Sequence, residues 1–95
     1  MLKKCEELAK AWHEAGRARF EREYNDINYD TQYNKKVIEK RKYINLDERN
    51  SGVFMVDKTT GMIYLIKAYG VPNKKKRIGH ITEVTGRELS RHNWY

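Results

Sequence analysis

Four side chains in this 95-residue chain belong to the types that most often hold metals or attack substrates: Cys5, His13, His80 and His92. No two of them stand at CxxC, HxxxH or HExxH spacing, so no metal site is expected. Cys5 has no base beside it in the sequence and reads as a small hydrophobe on a helix, not as a nucleophile. Asp57 and Glu83 make no convincing carboxylate pair, and Asp57 has a sufficient role in a turn. The stretch Gly70-Val71-Pro72-Asn73-Lys74 holds one glycine, too few to cradle a phosphate as a P-loop does. The expectation is a non-catalytic protein without a cofactor.

A different constellation interleaves cations with aromatics. Tyr64, Lys67, Tyr69, Asn73, Lys74, Lys75, Lys76, Arg77 and His80 fall on one expected strand, the loop after it and the next strand. Lysines neutralise phosphates, and exposed aromatic rings give bases a stacking surface. Lys67, Tyr69, Asn73 and the Lys74–Arg77 run are therefore the expected nucleic-acid contacts. Arg41, Lys42 and Tyr43 would extend that track from the sheet edge, and Arg87, Arg91 and Trp94 from the tail. The competing reading is plainer: Lys74–Arg77 is a solvated loop, and Tyr64 is a packing residue. No ribonucleoprotein motif, helix-turn-helix signature or zinc knuckle is present to name a nucleic-acid fold.

These side chains need elements to position them. Cys5, Leu8, Trp12, Ala15, Phe20 and Tyr24 recur every three to four residues, which predicts an amphipathic helix from Leu2 to about Tyr24. Lys10–Glu14 and Arg17–Glu21 support it as i,i+4 pairs in the weaker cation-first order. Gly16 weakens its middle and would admit a close neighbour. Asn25–Asp30 reads as a connection. Asp30 or Thr31 would cap a short second helix over about Gln32 to Lys40, burying Tyr33, Val37 and Ile38. From Lys42 the pattern turns to strands: Tyr43–Leu46, Val53–Val56, Met62–Ile66 and Arg77–Thr82. Turns are expected at Glu48–Gly52, at Thr59–Gly61 with Gly61 at positive φ, and at Gly70–Asn73. Thr85 is placed to cap a last short helix. The two central strand runs are near-continuously apolar, so both sheet faces should be covered, one of them by helices. The fold class is α+β: the helical part packs on a three- or four-stranded antiparallel meander. One domain spans 1–95, with a helical part at 1–41, the meander at 42–82 and a tail at 83–95.

Composition sets the outer bounds. Hydrophobic residues make up 39% and charged residues 35%, enough for one modest core. The formal net charge is +7, and it is uneven. Residues 1–50 carry twelve Lys/Arg against ten Asp/Glu, while residues 51–95 carry eight against three. Such a concentrated positive field draws polyanions. No apolar run reaches the ~18 residues of a membrane span, and the mixed charges of Met1–Glu7 do not read as a secretory signal. The single cysteine fits a reducing, cytoplasmic setting. Trp94 and Tyr95 close the chain, and two terminal aromatics either dock on the sheet or bind a protein partner. An uncovered apolar sheet face also invites a second copy of the chain.

The block Phe54-Met55-Val56-Asp57-Lys58-Thr59-Thr60-Gly61-Met62-Ile63-Tyr64-Leu65-Ile66-Lys67-Ala68-Tyr69-Gly70, with the basic run up to Gly79, resembles a hairpin block of small tailed-bacteriophage proteins. The resemblance covers about a third of the chain and implies a phage origin, in the cytoplasm of a bacterial host. It implies a nucleic-acid-handling module, or else a factor that binds a host or phage protein, as an inhibitor or a virion part. A more degenerate likeness runs from Gly52-Val53-Phe54 through Ile63–Ala68 to Arg77 and is similar to the start of a GIY-YIG nuclease domain. That likeness implies Tyr64 as the second-strand tyrosine, Arg77 as a catalytic arginine on a helix, and Glu83 or Glu88 as the metal-binding glutamate. Phe54 stands where the first tyrosine should be, and Ile66 where the second glycine should be.

Overall fold

The computed structural model describes residues 1–24, 33–49 and 51–91. The chain is α+β. Helix α1 (Leu2–Tyr24) is followed by strands β1 (Lys35–Glu39), β2 (Tyr43–Glu48), β3 (Ser51–Asp57), β4 (Met62–Ala68) and β5 (Val71–His80), then by helix α2 (Gly86–Arg91). The strands form one antiparallel sheet in the order β1-β2-β3-β4-β5, a meander in which sequence neighbours are sheet neighbours. The helix expected at Leu2–Tyr24 is present, and so are the central strands. The connection Asn25–Asp30, the cap at Asp30 or Thr31, and the terminal His92–Tyr95 lie outside the described residues.

Two expectations are corrected. The short second helix over Gln32–Lys40 is not formed where the chain is described: Lys35–Glu39 is the edge strand β1. Residues four apart share a face of a strand as well as of a helix, so Tyr33 and Val37 did not discriminate. Pairing with β2 decides the matter. Val37 stands opposite Leu46 and Lys35 opposite Glu48, so the sheet has five strands and takes in part of the region assigned to helices. Second, Gly70–Asn73 does not end the strand pair. The turn is only Tyr69-Gly70, with Gly70 at φ 81, and Ala68 already pairs with Val71. Pro72 lies inside β5. It is tolerated because β5 is an edge strand, where a missing N–H need not interrupt a ladder.

Two side-chain rows define the sheet faces, because directly paired residues project to the same side. On the α1 side, Val37, Leu46, Phe54 and Leu65 form one row, and Ile44, Val56 and Ile63 another. Cys5, Leu8 and Trp12 of α1 close over them, joined by Ile81, Val84 and Leu89. Trp12 meets Phe54 edge-on, ring centroids 5.0 Å apart at 73°, a geometry that adds to simple burial. Ala15 and Phe20 are only half-buried, so α1 packs most tightly through its first half.

Helix α2 is short and depends on two local devices. Thr85 and Glu88 form a capping box: the Glu88 amide donates to Thr85 Oγ1 at 3.2 Å, and the Thr85 amide donates to Glu88 Oε1 at 3.3 Å. Gly86 lies against the α1 backbone, where a Cβ would overlap Ala11 and the amide nitrogen of Trp12. Gly86, which the sequence reading did not single out, thus supplies a close approach of α2 to α1. Adding one methyl there, Gly86→Ala, must push α2 off α1. It should cost about 1–3 kcal/mol and lower the thermal midpoint correspondingly, measured by circular dichroism.

Candidate nucleic-acid interface

The basic run is carried by β5 rather than by a loop between strands. Ile66 pairs with Pro72 and Tyr64 with Arg77, so five steps along β5 face two along β4. The four residues Asn73 to Lys76 thus stand opposite Leu65 alone and bulge from the sheet edge, as extra residues in a ladder must. The Asn73 side chain braces the bulge, its Oδ1 accepting from the Lys75 amide at 3.1 Å. Lys74, Lys75, Lys76 and Arg77 are all exposed. Among the described residues none of the four is held by an acidic side chain, whereas Lys35 pairs with Glu48 and Lys58 with Glu39. The four charges therefore stand in water along one edge. Lys67 is exposed on β4, and Trp94 and Tyr95 lie outside the described residues.

The aromatics divide. Tyr64 is 9% exposed and belongs to the packed sheet. It stands in a row running Ile38, Asn45, Met55, Tyr64, Arg77 across all five strands, on the face away from α1. Tyr69 is 56% exposed at the β4–β5 turn. Its hydroxyl donates to Asp47 Oδ2 at 2.8 Å. That hydrogen bond, together with the carboxylate charge, raises the Tyr69 phenol above its ordinary value, while a hydrogen bond with the Asn45 side chain works the other way.

Asp47 was passed over in the sequence because it lies in a short polar-looking run, Asn45-Leu46-Asp47-Glu48. It is 2% exposed, and Asn45 likewise. Asn45 Oδ1 and Asp47 Oδ1 have no hydrogen-bond partner. The signal was strict alternation: Ile44 and Leu46 must face the core, which sends Asn45 and Asp47 together to the other face. Asp57 serves its turn as expected, accepting the amides of Thr59 at 2.8 Å and Thr60 at 3.3 Å, with Gly61 at φ 79.

A cleft of ≈ 590 Å³ opens beside the bulge, within the size range of small-ligand sites. Val53, Leu65 and Ile66 give it apolar walls, Tyr33 an aromatic one, and Arg49 and Lys76 two cations. Gly52 also lines it, and Gly52 is the register partner of Asp47. Arg49 takes φ 58 in the two-residue β2–β3 turn, a left-handed position such hairpins require.

The remaining candidates fall elsewhere. Cys5 is fully buried, and burial pushes its thiol up to about 11, against a smaller opposing pull from the N-terminal ammonium. His80 Nδ1 lies 2.7 Å from Thr82 Oγ1 and accepts the Thr82 amide at 3.2 Å, closing the turn after β5. His13 lies 3.4 Å from the Lys35 ammonium. No group of three metal-ligating side chains occurs among the described residues. The nuclease likeness implied a helix bearing Arg77. Arg77 lies on a strand, Phe54 is sealed in the core, and Glu88 caps α2. No helix among the described residues is long and apolar enough to cross a membrane. Comparison with protein-family models, with curated proteins and with solved structures found no match for this chain.

Two measurements check the site chemistry. Difference absorbance against Tyr69→Phe should show the Tyr69 phenol ionising above pH 10, and Asp47→Asn should bring it back toward the ordinary tyrosine value. Because the folded value is raised, the stabilisation from this pair is complete below pH 10 and is lost as the pH climbs through the folded value. Cys5 should react with a thiol reagent at neutral pH only as fast as the protein opens. Burst labelling of the native state would contradict its burial.

Proposed function

We propose that this chain is a small, non-catalytic nucleic-acid-binding module that holds phosphates along the bulged edge of its sheet. The observation that carries the reading is the run Lys74–Arg77: four adjacent exposed cations with no acidic partner among the described residues, on an element whose register makes it protrude. Lys67 and the exposed ring of Tyr69 extend the same edge. Binding of this kind is directed at the backbone and gains its free energy from counterion release. In the setting that the phage-like hairpin suggests, the partner would be nucleic acid in the cytoplasm of an infected bacterium.

Fluorescence anisotropy with labelled single- and double-stranded oligonucleotides tests the reading. Affinity should fall steeply with salt. If about four phosphates are engaged, the log–log slope should be roughly −3 on single strands and roughly −4 on duplex DNA. Replacing Lys74, Lys75, Lys76 and Arg77 together by Ala should abolish most binding with the thermal midpoint little changed, since all four side chains stand in solvent. Unchanged affinity in that variant, or no binding of the native chain even at low salt, removes the proposal.

A further inference from the structure

The cleft beside the bulge is not used by backbone phosphate binding. Leu65 belongs to the row Val37, Leu46, Phe54, Leu65 that faces α1, and Val53 to the core cluster. They give the cleft an apolar floor on the helix side of the sheet. Tyr33, whose ring lies 5.5 Å from that of Phe20 on α1, gives it an aromatic wall. At ≈ 590 Å³ the cleft has room for one nucleobase with its sugar. Asn73 and Lys76 of the β5 bulge complete it, so one cation belongs both to the cleft and to the basic run.

The charges at the rim are unequal. Arg49 and Lys76 are exposed, and neither is held by an acidic side chain among the described residues. Glu48 also lines the cleft, but its Oε1 accepts from the Lys35 ammonium at 3.2 Å and only 14% of its side chain is exposed. Its charge is met inside that enclosed pair, and the two cations set the sign at the mouth. Arg49 carries a second signal. It sits at φ 58, where glycine or asparagine would hold the turn with less strain. Residues kept in that region against their preference cluster at ligand sites, and Arg49 lines this cleft. An apolar floor, an aromatic wall and a cationic mouth suit a flat, uncharged ring carried on an anionic chain, which describes one nucleotide of a polynucleotide. In a duplex the base is paired and stacked on both sides and cannot enter; in a single strand it can. Every base has a π-face, so such a site selects strand type and not sequence.

We infer that the cleft between the β2–β3 turn and the β5 bulge takes one unstacked base of a single-stranded nucleic acid, with Tyr33 and Leu65 against the ring and Arg49 and Lys76 on the flanking phosphates. The inference rests on the phosphate-binding reading and adds to it a preference for single strands and a further cation, Arg49, that lies off the β5 edge.

Anisotropy on the full chain with three probes of equal length tests both at once: a short thymidine strand, the same sugar–phosphate backbone without bases, and the thymidine strand annealed to its complement. The thymidine strand should bind about tenfold tighter than the bare backbone, the scale of one stacked base. It should also bind tighter than the duplex near physiological salt, where the backbone attraction is most weakened. Ser51→Ile, which narrows the cleft from an exposed rim position, should bring strand and bare backbone within about twofold of each other. Arg49→Asn should keep or raise the thermal midpoint, because asparagine accepts the turn conformation, yet weaken the thymidine strand about fivefold. Lys3→Gln, which removes an equal charge at the start of α1, should weaken it by less than about twofold. Thermal melts establish that each variant is folded. A strand-to-backbone ratio near one, a ratio retained in folded Ser51→Ile, a duplex that binds as tightly as the strand, or Arg49→Asn behaving like Lys3→Gln overturns the inference. Salt-sensitive binding in any of those cases leaves the phosphate reading standing, whereas no binding to any probe at low salt removes both.

Discussion

Trp12 is the point at which sheet and helices meet. Its ring takes the edge of Phe54 from β3. The Lys35 ammonium lies over the same ring, 4.8 Å from its centroid. Its backbone nitrogen lies where α2 comes closest, against Gly86. The Lys35 ammonium also donates to the Tyr33 carbonyl at 2.6 Å and to Glu48 Oε1 at 3.2 Å, with only 4% of its side chain exposed. A charge so enclosed is tolerable only because several groups face it together. Removing one partner of such a pair costs about 3–5 kcal/mol, although the intact pair contributes little by itself. In a chain of this size, whose total stability is of order 5–15 kcal/mol, that enclosure fixes where β1 can lie. The strand cannot slide along β2 without leaving Lys35 or Glu48 unpaired.

The opposite edge is under a different constraint. An edge strand with free backbone groups invites another chain to pair with it, and proteins blunt such edges with lysines, proline and bulges. Strand β5 has all three: Pro72, the Asn73–Lys76 bulge and the Lys74–Arg77 run. Edge protection and the proposed polyanion binding therefore draw on one set of residues. Two features go beyond protection. One lysine at the centre of an edge already disfavours strand addition, whereas four adjacent cations repel one another unless counterions or phosphates share the space. Tyr69, moreover, reaches from the same edge past Gly52 of β3 to bond Asp47 on β2, and it remains 56% exposed there.

Much of this was legible in the residues. The three-to-four spacing of Cys5, Leu8 and Trp12 placed α1, Thr85 placed the start of α2, and Gly61 placed a positive-φ turn, because each rests on local geometry. The near-continuous apolar runs at Val53–Val56 and Met62–Ile66 correctly indicated burial on both sheet faces. What was not legible depends on partners distant in sequence. Lys35–Glu39 became a strand because β2 offers it a register and Glu48 a counter-charge, which no helical periodicity could reveal. The basic run looked like a loop because Gly70 and Pro72 bracket its start. Its place in a strand follows only from pairing with β4. The cleft was invisible for the same reason: Tyr33, Gly52, Leu65 and Lys76 come from four separate stretches of chain.

Asp47 and Asn45 show how burial and charge pull apart in so small a molecule. A buried acceptor left without a donor costs about 1–3 kcal/mol, and two of them take a sizeable share of the stability available here. The face they occupy is otherwise suited to apolar packing: Met55 and Tyr64 flank it, and Ile66 crowds Gly52. Leucine or valine at either position would remove the cost and keep the alternation of β2 intact. Polar side chains there are thus not required by the fold. The Tyr69 hydroxyl compensates one oxygen of Asp47, and it does so from the exposed end of the sheet, beside the cations. An acid sheltered under a positively charged rim keeps its acceptor directed inward while the outer field stays attractive to anions.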